Sequence, residues 1–358
     1  MNYSLFDSGH SSQSEKKGSL IPEWIDEINT EGWFQLFVPK NLGGLGLDLP
    51  EALRIEQKLA NLDGSLGWTV TLCSGALWFV GFLEEGLREE IFPNTGLCFA
   101  GSGFVGGKAE IVENGYMISG SWTYASGALH ASHFTANCEI WKDGNQLKDE
   151  QGNPIIKAFI LNKEEVEILG GWNYMGMIAT GSHAFKTESL HVPFNRSFEI
   201  IPEKATLTDP IFQFPFQQFA EATLVSNILG ISQHLQTLIQ EAFWKRNSHR
   251  KYSEVEVDFA EKQFAICSSS LEAAAKDFYS AIEIAWATLI ESGAIRETEL
   301  KDVSKRSREL VQVCRESNMG IYPFSGLEVA KMETELNRVW RDFATVSQHA
   351  LITFPYFD

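Results

Sequence analysis

Residues 119–134, with the sequence SGSWTYASGALHASHF, place hydrogen-bonding side chains among aromatic rings. The stretch contains serines and two histidines but no Asp, Glu, Lys or Arg, in a chain whose formal net charge is −18. Hydroxyl and imidazole groups can both donate and accept hydrogen bonds. A surface loop would normally carry more charge, and a core strand would be more apolar. The composition therefore favours the wall of a cavity.

A second group of hydroxyls lies in the Ala-Thr-Gly-Ser sequence at 179–182. Small residues allow a backbone to approach a planar ring or a pyrophosphate closely, so Thr180 and Ser182 are candidate ligand contacts. A hairpin turn with local side-chain caps is the alternative. His349, in RDFATVSQHALITF, stands alone in an apolar helical context, which is also typical of a histidine packed in a core.

The length and composition are ordinary for a globular protein with more than one domain. A chain of 358 residues with 44% hydrophobic and 21% charged residues is expected to form two or three domains. Apolar runs such as residues 72–83 are shorter than the roughly 20 residues that span a bilayer, and the polar start is unlike a signal peptide. The acidic balance argues against nucleic acid and membranes as partners.

The cysteines are far apart and form no CxxC pair; they are Cys73, Cys98, Cys138, Cys267 and Cys314. A metal site and a disulfide framework are therefore not expected. Buried free thiols in a reducing compartment are the expected state, and we predict a cytoplasmic protein.

The residue patterns divide the chain into four parts. Residues 1–18 are polar and are expected to form a flexible tail, whereas residues 19–96 show helical spacing of apolar residues. Residues 97–204 contain short runs rich in aromatic and β-branched residues, which predict a β-sandwich or barrel. Residues 205–358 contain four long amphipathic segments, which predict an antiparallel four-helix bundle. The expected fold class is α+β.

Four stretches of the chain carry a resemblance to a known family: VPKNLGGLGLDLPEALRIEQKLANLDGSLGW, GGKAEIVENGYMISGSWTYASGALHA, WNYMGMIATGSHAFKTESLHVP and VWRDFATVSQHA. They resemble the acyl-CoA dehydrogenase superfamily, and most closely its branch of two-component (group D) flavin-dependent monooxygenases. They occur in the family's order across nearly the whole chain. The resemblance implies the acyl-CoA dehydrogenase-like architecture of an N-terminal helical domain, a middle β domain and a C-terminal four-helix bundle.

The resemblance also implies a flavin site built on the uncharged stretch. Ser126 corresponds to the hydroxyl that faces the reactive ring nitrogen N5, with Trp122 and Tyr124 as an apolar wall. The alternative is that Ser126 and Gly127 simply end a strand. The other flavin contacts implied by the resemblance are Ser102, Thr180 and Ser182.

On the substrate side of the flavin, the resemblance implies roles for His349 and His130. His349 corresponds to a histidine that could polarise a phenol as a general base or hydrogen-bond the flavin hydroperoxide. His133, three residues after His130, is expected on the other side of a strand and to be structural. Arg341 and Asp342 are expected to form an ion pair in the bundle or a subunit contact.

The implied activity is that of an oxygenase component. It would take reduced FMN or FAD from a separate flavin reductase and use O2, through a C4a-hydroperoxide, to hydroxylate or N- or S-oxidise a small organic substrate. The family's assembly through the bundle implies a homotetramer. Branch members often carry a histidine in the region matching residues 71–80, where this chain has none, so the substrate is left open.

Two alternatives come from the same resemblance. An acyl-CoA dehydrogenase or oxidase needs a carboxylate base, but residues 348–350 are Gln-His-Ala. Glu221 lies near the family's alternative position for that base, without the usual neighbouring arginine. A non-catalytic, flavin-binding paralogue is the second alternative.

Overall fold

The N-terminal part of the molecule is helical. The computed structural model describes residues 7–92 and 96–357. The helices are α1 (Ser8–Lys17), α2 (Pro22–Glu31), α3 (Leu49–Leu62), α4 (Gly64–Leu77) and α5 (Glu85–Ile91). Asp63 is the only residue between α3 and α4, and its side chain caps α4 by accepting a hydrogen bond from the Leu66 amide. This cap fixes where α4, which carries a site residue, begins.

The first helix contradicts the predicted flexible tail at 1–18. Residues 8–17 form α1, because Asp7 accepts a hydrogen bond from the His10 amide and Gly18 ends the helix with φ of 73°. The Ser14 hydroxyl is buried and accepts a hydrogen bond from the Ile21 amide at 3.3 Å. Residues 1–6 of the predicted tail lie outside the described residues.

Eight strands form one mixed sheet. They are β1 (Phe99–Val112), β2 (Gly115–Ala125), β3 (His133–Lys142), β4 (Asn145–Gln146), β5 (Ile156–Asn162), β6 (Glu167–Leu169), β7 (His183–Pro193) and β8 (Ser197–Phe198). Their order is β6-β7-β2-β1-β3-β5-β8, with β4 paired to β3. Strands β1 and β3 are parallel, and the other pairs are antiparallel. The β2–β7 register shifts between Trp122 and Ala125, which bends the chain just before Ser126.

Trp122 does not line a cavity wall as expected, because it lies inside the β domain. It is fully buried, its ring stacks on Phe185 with centroids 5.0 Å apart, and its Nε1 donates to the Asn137 carbonyl at 2.9 Å. A Cβ at Gly107 would lie 2.4 Å from the Trp122 ring. The neighbouring strand must therefore carry a glycine there.

The C-terminal part consists of α6 (Phe216–Arg250), α7 (Glu254–Ser292), α8 (Glu297–Ile321) and α9 (Glu335–Val346). Helix α6 packs against α3, α4, α8 and α9 and so joins the two helical parts. The fourth predicted helix is shorter than expected, because residues 322–330 form 3₁₀ turns with a non-helical Gly326. The observed order of an N-terminal helical part, a β sheet and C-terminal bundle helices agrees with the predicted order of the parts.

Helix α4 and the turn after it form the most apolar helical segment. Within the described residues, Gly64–Phe82 is the one helical segment whose length and composition would allow it to cross a membrane. It is longer than the apolar run recognised in the sequence. Since 89% of it is buried inside the fold, it packs as a core helix.

Phe219→Ala is expected to destabilise the junction between α4 and α6. Phe219 stacks on Trp78 with centroids 4.7 Å apart and meets Phe37 edge-on at 4.9 Å. Removing a buried phenylalanine costs about 3–5 kcal/mol of folding free energy. Thermal unfolding should show a markedly lower Tm than Phe354→Ala, since Phe354 is exposed. Equal losses of Tm in the two variants would contradict this packing role.

Candidate active site

Three buried hydroxyls meet where β2 ends and β7 begins. The Ser126 and Ser182 hydroxyl oxygens are 2.8 Å apart, and those of Ser182 and Thr180 are 2.6 Å apart. All three residues are at most 5% exposed. The Gly127 amide donates to the Thr180 carbonyl at 2.9 Å. The structure therefore brings Ser126 together with Thr180 and Ser182, which lie more than 50 residues later in the sequence.

Helix α4 supplies the second wall of this hydroxyl cluster (Ser126, Thr180 and Ser182). The Trp68 Nε1–H donates to the Ser126 hydroxyl at 3.1 Å, and the Cys73 thiol lies 3.7 Å from the Ser126 carbonyl. Gly127 has φ of 77°, and a Cβ there would lie 2.5 Å from the Cys73 sulfur. A close approach and a left-handed backbone both require glycine at this position.

His349 also contacts the Trp68 indole. Its ring meets the Trp68 ring edge-on with centroids 5.9 Å apart. The expected helical setting is wrong, because α9 ends at Val346 and His349 begins a short 3₁₀ turn. Burial lowers the pKa of His349, so the ring is neutral at pH 7. The Leu351 amide donates to Nδ1 at 3.4 Å, which assigns the proton to Nε2 and makes Nε2 a donor.

His130 lies in the turn after β2, between Ser126 and the start of β3, and not in the expected strand. It is half-buried, and its Nε2 is buried without a hydrogen-bond partner. Burial, reinforced by Lys17 and Lys163, lowers the pKa of His130 to about 4. His133 begins β3 and its Nδ1 lies 3.0 Å from the Ser132 hydroxyl. His130 therefore has an unused ring nitrogen, whereas His133 contacts its own loop.

An exposed aromatic cluster adjoins the hydroxyls. Tyr124 has φ of 64° and is 58% exposed, so it is not an inner wall. Its hydroxyl lies 3.1 Å from that of Tyr174, and the Tyr174 ring stacks on Trp172 with centroids 4.2 Å apart. Sequence reasoning assigned no role to Trp172 and Tyr174, although WNYMGM was part of the matched stretch.

Ser102 makes no hydrogen bond to the hydroxyl cluster. It lies in β1, where the register with β3 shifts, and its hydroxyl accepts from the Phe104 amide at 3.1 Å. It is part of GSGFVG at 101–106, which has GxGxxG spacing. Since this run lies inside a strand and not at a strand-to-helix turn, it is not a dinucleotide-binding loop.

Arg341 and Asp342 clamp the loop that carries Thr180. The Met177 amide donates to the Asp342 carboxylate at 2.5 Å, and Arg341 donates to the Met175 carbonyl at 2.5 Å. Arg341 also pairs with Glu15 of α1. The two residues are therefore not paired with each other across the bundle, as the sequence suggested, but hold a loop of the β domain.

This clamp continues into the hydroxyl cluster. A Cβ at Gly176 would lie 2.1 Å from the Arg341 carbonyl oxygen, so the loop touches α9 directly. The Thr180 hydroxyl donates to the Met177 carbonyl at 2.7 Å. An unbroken series of hydrogen bonds thus connects α9 with Ser126.

Glu221, the candidate base of a dehydrogenase, lies in an ion pair. It is fully buried on α6, and the Arg308 guanidinium of α8 donates to its Oε1 at 2.9 Å. The family's usual arginine is absent near Glu221 in the sequence, but Arg308 reaches it from 87 residues away. Its Oε2 is buried without a partner.

The comparisons with known proteins agree with this arrangement. Residues 222–354 match the family model of the acyl-CoA dehydrogenase C-terminal domain. The chain is 25% identical over 333 residues to an indole-3-acetate monooxygenase of Acinetobacter baumannii, covering 92% of this chain and 83% of the relative. It is 25% identical over 346 residues to the flavin-dependent monooxygenase oxygenase subunit HsaA of Mycobacterium tuberculosis, covering 92% and 85%.

A solved structure shows the same fold. XiaF from Streptomyces sp., in complex with FADH2 and glycerol, superposes with a TM-score of 0.86 at 21% identity, covering 98% of this chain and 89% of that one. The chain is similar to oxygenase subunits of flavin-dependent monooxygenases. This similarity confirms the predicted resemblance and the predicted class of enzyme, a flavin-dependent oxidoreductase.

Asp342→Asn should change how stability depends on pH. Burial, and then the nearby Asp63 carboxylate, raises the pKa of Asp342 to about 7 from an ordinary 3.8. The unfolded chain therefore loses this proton first, and Asp342 makes the fold less stable as pH rises from about 4 to 7. Asparagine can still accept the hydrogen bond from the Met177 amide but does not ionise. The Tm of Asp342→Asn relative to that of the wild type should therefore rise as the pH increases from about 4 to 7.

Glu299→Gln is the matched control for this measurement, because it removes a buried carboxylate of α8 that does not titrate in this range. The hydrogen bond from Arg296 lowers the pKa of Glu299 to about 2, so its charge is constant above about pH 4. Its Tm difference from the wild type should stay constant between about pH 4 and 8. Parallel Tm profiles for Asp342→Asn and the wild type would show that Asp342 does not titrate here.

Proposed function

We propose that the chain is the oxygenase component of a two-component flavin-dependent monooxygenase that hydroxylates, or oxidises at N or S, a small organic substrate. The observation that carries this proposal is the Trp68 indole, which donates a hydrogen bond to Ser126 and also contacts the His349 ring. Hydroxyls and a neutral imidazole around one indole suit a flavin and a substrate bound next to each other. The overall similarity to oxygenase subunits supports the same assignment.

The residues present fit a flavin. Ser126, Thr180 and Ser182 offer hydrogen-bonding oxygens, and the ring pair Trp172 and Tyr174 offers a flat aromatic surface beside them. We assign these residues to the ring of reduced FMN or FAD. When bound, the reduced flavin supplies the electrons that activate O2, while the protein positions the reactants. Ser102 is assigned to the rim of the site, because it does not contact the hydroxyl cluster.

His349 and His130 are assigned to the substrate side. The Nε2–H of His349 would donate a hydrogen bond to an oxygen or nitrogen atom of the substrate, since Nδ1 already accepts from Leu351. The unpartnered Nε2 of His130 gives the site a second, uncharged hydrogen-bonding group. Both rings are neutral at pH 7 because burial lowers their pKa values.

The setting of Ser126 excludes water. Trp68 and Cys73 cover it from α4, and the hydroxyl cluster has no charged member. A dry site matters for oxygenases, because water promotes the unproductive release of hydrogen peroxide. The uncharged composition of residues 119–134 is consistent with this requirement.

Dehydrogenation of an acyl-CoA is less well supported. Its base would have to be Glu221, whose Oε1 is held by Arg308. This carboxylate is already engaged in a buried ion pair that joins α6 to α8. We therefore favour oxygenation.

The proposed partners are a separate flavin reductase, O2 and a second copy of the chain, in the cytoplasm. Helix α7 leaves large apolar side chains exposed, namely Val255, Phe259, Ile266, Ile284 and Ile290. Val255, Phe259 and Ile266 are four and seven residues apart, which places them on one side of the helix, and exposed apolar surface of this kind marks contact sites. We assign this face of α7 to a homotetramer formed through the bundle.

Anaerobic titration with reduced FMN or FAD tests the flavin assignment. The chain should bind at least one of them, and stopped-flow mixing of the complex with O2 should reoxidise the flavin at a different rate from free flavin. Oxidation at the rate of free flavin, with no binding in either redox state, would refute the proposed function.

His349→Ala should separate flavin oxidation from product formation. Loss of a positioned hydrogen-bonding or acid–base group typically costs about 10²-fold or more in rate, so product per flavin oxidised should fall while the Kd for reduced flavin stays unchanged. His133→Ala is the control, because His133 contacts Ser132 of its own loop. Undiminished product yield in His349→Ala would remove His349 from the reaction.

A further inference from the structure

The hydroxyl cluster ends at a group that can only accept. The Thr180 hydroxyl oxygen lies 2.7 Å from the Met177 carbonyl oxygen. Two oxygens this close need a proton between them, and a carbonyl has none to give. The Thr180 hydroxyl must therefore donate to Met177.

The donation from Thr180 to Met177 fixes the direction of every other hydrogen bond in the cluster. A hydroxyl has a single proton, so Thr180 can only accept from Ser182, 2.6 Å away. Ser182 has then used its own proton and must accept from Ser126, 2.8 Å away. At the other end, the indole N–H of Trp68 can only donate, and it donates to Ser126 at 3.1 Å.

All four donors thus point from Trp68 towards the Met177 carbonyl. The proton of Ser126 is committed to Ser182, and one of its lone pairs is committed to Trp68. What remains on Ser126 is one lone pair. Towards a ligand, this hydroxyl can act as an acceptor but not as a donor.

The position of Met177 holds this arrangement in place. Its backbone has φ of 56°, and its amide donates to the buried Asp342. Its carbonyl also accepts from the Trp172 Nε1 at 2.8 Å. Because the loop is tied on both sides of this peptide, the carbonyl cannot turn away from Thr180 without breaking these bonds.

We propose that this one-way chain of hydrogen bonds makes the site select reduced over oxidised flavin. The inference rests on the proposed function, in which Ser126 meets the flavin N5. In reduced flavin N5 carries a hydrogen and is a donor, which matches the free lone pair of Ser126. In oxidised flavin N5 has only a lone pair, so the two acceptors repel each other. Thr180 and Ser182 are therefore positioning residues that act through Ser126.

Reversing the direction of these hydrogen bonds should abolish the preference for reduced over oxidised flavin. In Thr180→Val, Ser182 loses its acceptor and can donate to Ser126, which releases the Ser126 proton towards N5. In Ser182→Ala, that proton is released directly. Either change should strengthen binding of oxidised flavin, so that the Kd for oxidised flavin divided by the Kd for reduced flavin falls about tenfold. A tenfold change in Kd corresponds to about 1.4 kcal/mol, which is the free energy of one hydrogen bond.

Ser132→Ala is the matched control. It also removes a serine hydroxyl, from the loop after β2, but this hydroxyl bonds to Cys98 and His133 and not to the cluster. The Kd ratio should therefore stay within about threefold of wild type, which is less than half the free energy of one such hydrogen bond. Dissociation constants for both redox states are measured by anaerobic titration of flavin fluorescence and absorbance, and Tm confirms that each variant is folded. General loosening of the site would weaken both redox states together and leave the ratio unchanged.

The outcomes separate this inference from the proposed function. If Ser126→Ala alters flavin binding but Thr180→Val and Ser182→Ala both keep the wild-type ratio, the donor direction does not control redox selection and the inference fails alone. If Ser126→Ala changes the Kd of neither redox state, Ser126 is not at the flavin, and that assignment fails as well. A chain that binds flavin in neither state overturns both.

Discussion

The hydrogen bond from the Trp68 indole to the Ser126 hydroxyl is the contact around which the rest of the site is arranged. It joins a core helix of the N-terminal domain to the end of a strand in the β domain. It requires the left-handed turn at Gly127 and the close approach of Cys73. The same indole also contacts His349, which follows the last helix of the bundle. One side chain therefore sets the relative positions of groups from three parts of the chain.

This contact depends in turn on the clamp formed by Arg341 and Asp342. Both residues are buried, and burying a charge is costly unless it is paired or hydrogen-bonded. Arg341 meets that requirement with Glu15, and Asp342 with the Met177 amide. Burial strongly raises the pKa of the Asp342 carboxyl group, and the nearby Asp63 carboxylate raises it further. Such an arrangement is expected where a fixed loop position matters more than stability.

Much of the architecture followed from sequence patterns. Helical spacing, short β-branched runs and four long amphipathic segments give the order of the parts, since period and turn residues are local properties. Ser126, Thr180 and Ser182 were named from short matched stretches, and they do meet. The prediction of a flexible tail at residues 1–18 was wrong because it was based on local polarity alone. The polar start forms α1, whose packing depends on serines and on Glu15 meeting partners far along the chain.

Several features were accessible only from the tertiary structure. Arg308 reaches Glu221 across 87 residues, and Tyr124 turns outward through a bulge that one strand alone does not specify. The sequence by itself determined which hydroxyls, aromatic rings and histidines are available. The tertiary structure decided which of them touch, and that Thr180 ends the chain of hydroxyls on a carbonyl. The physical reason is that residue type sets what a group can donate or accept, whereas the direction of a shared proton depends on the neighbours that folding brings together.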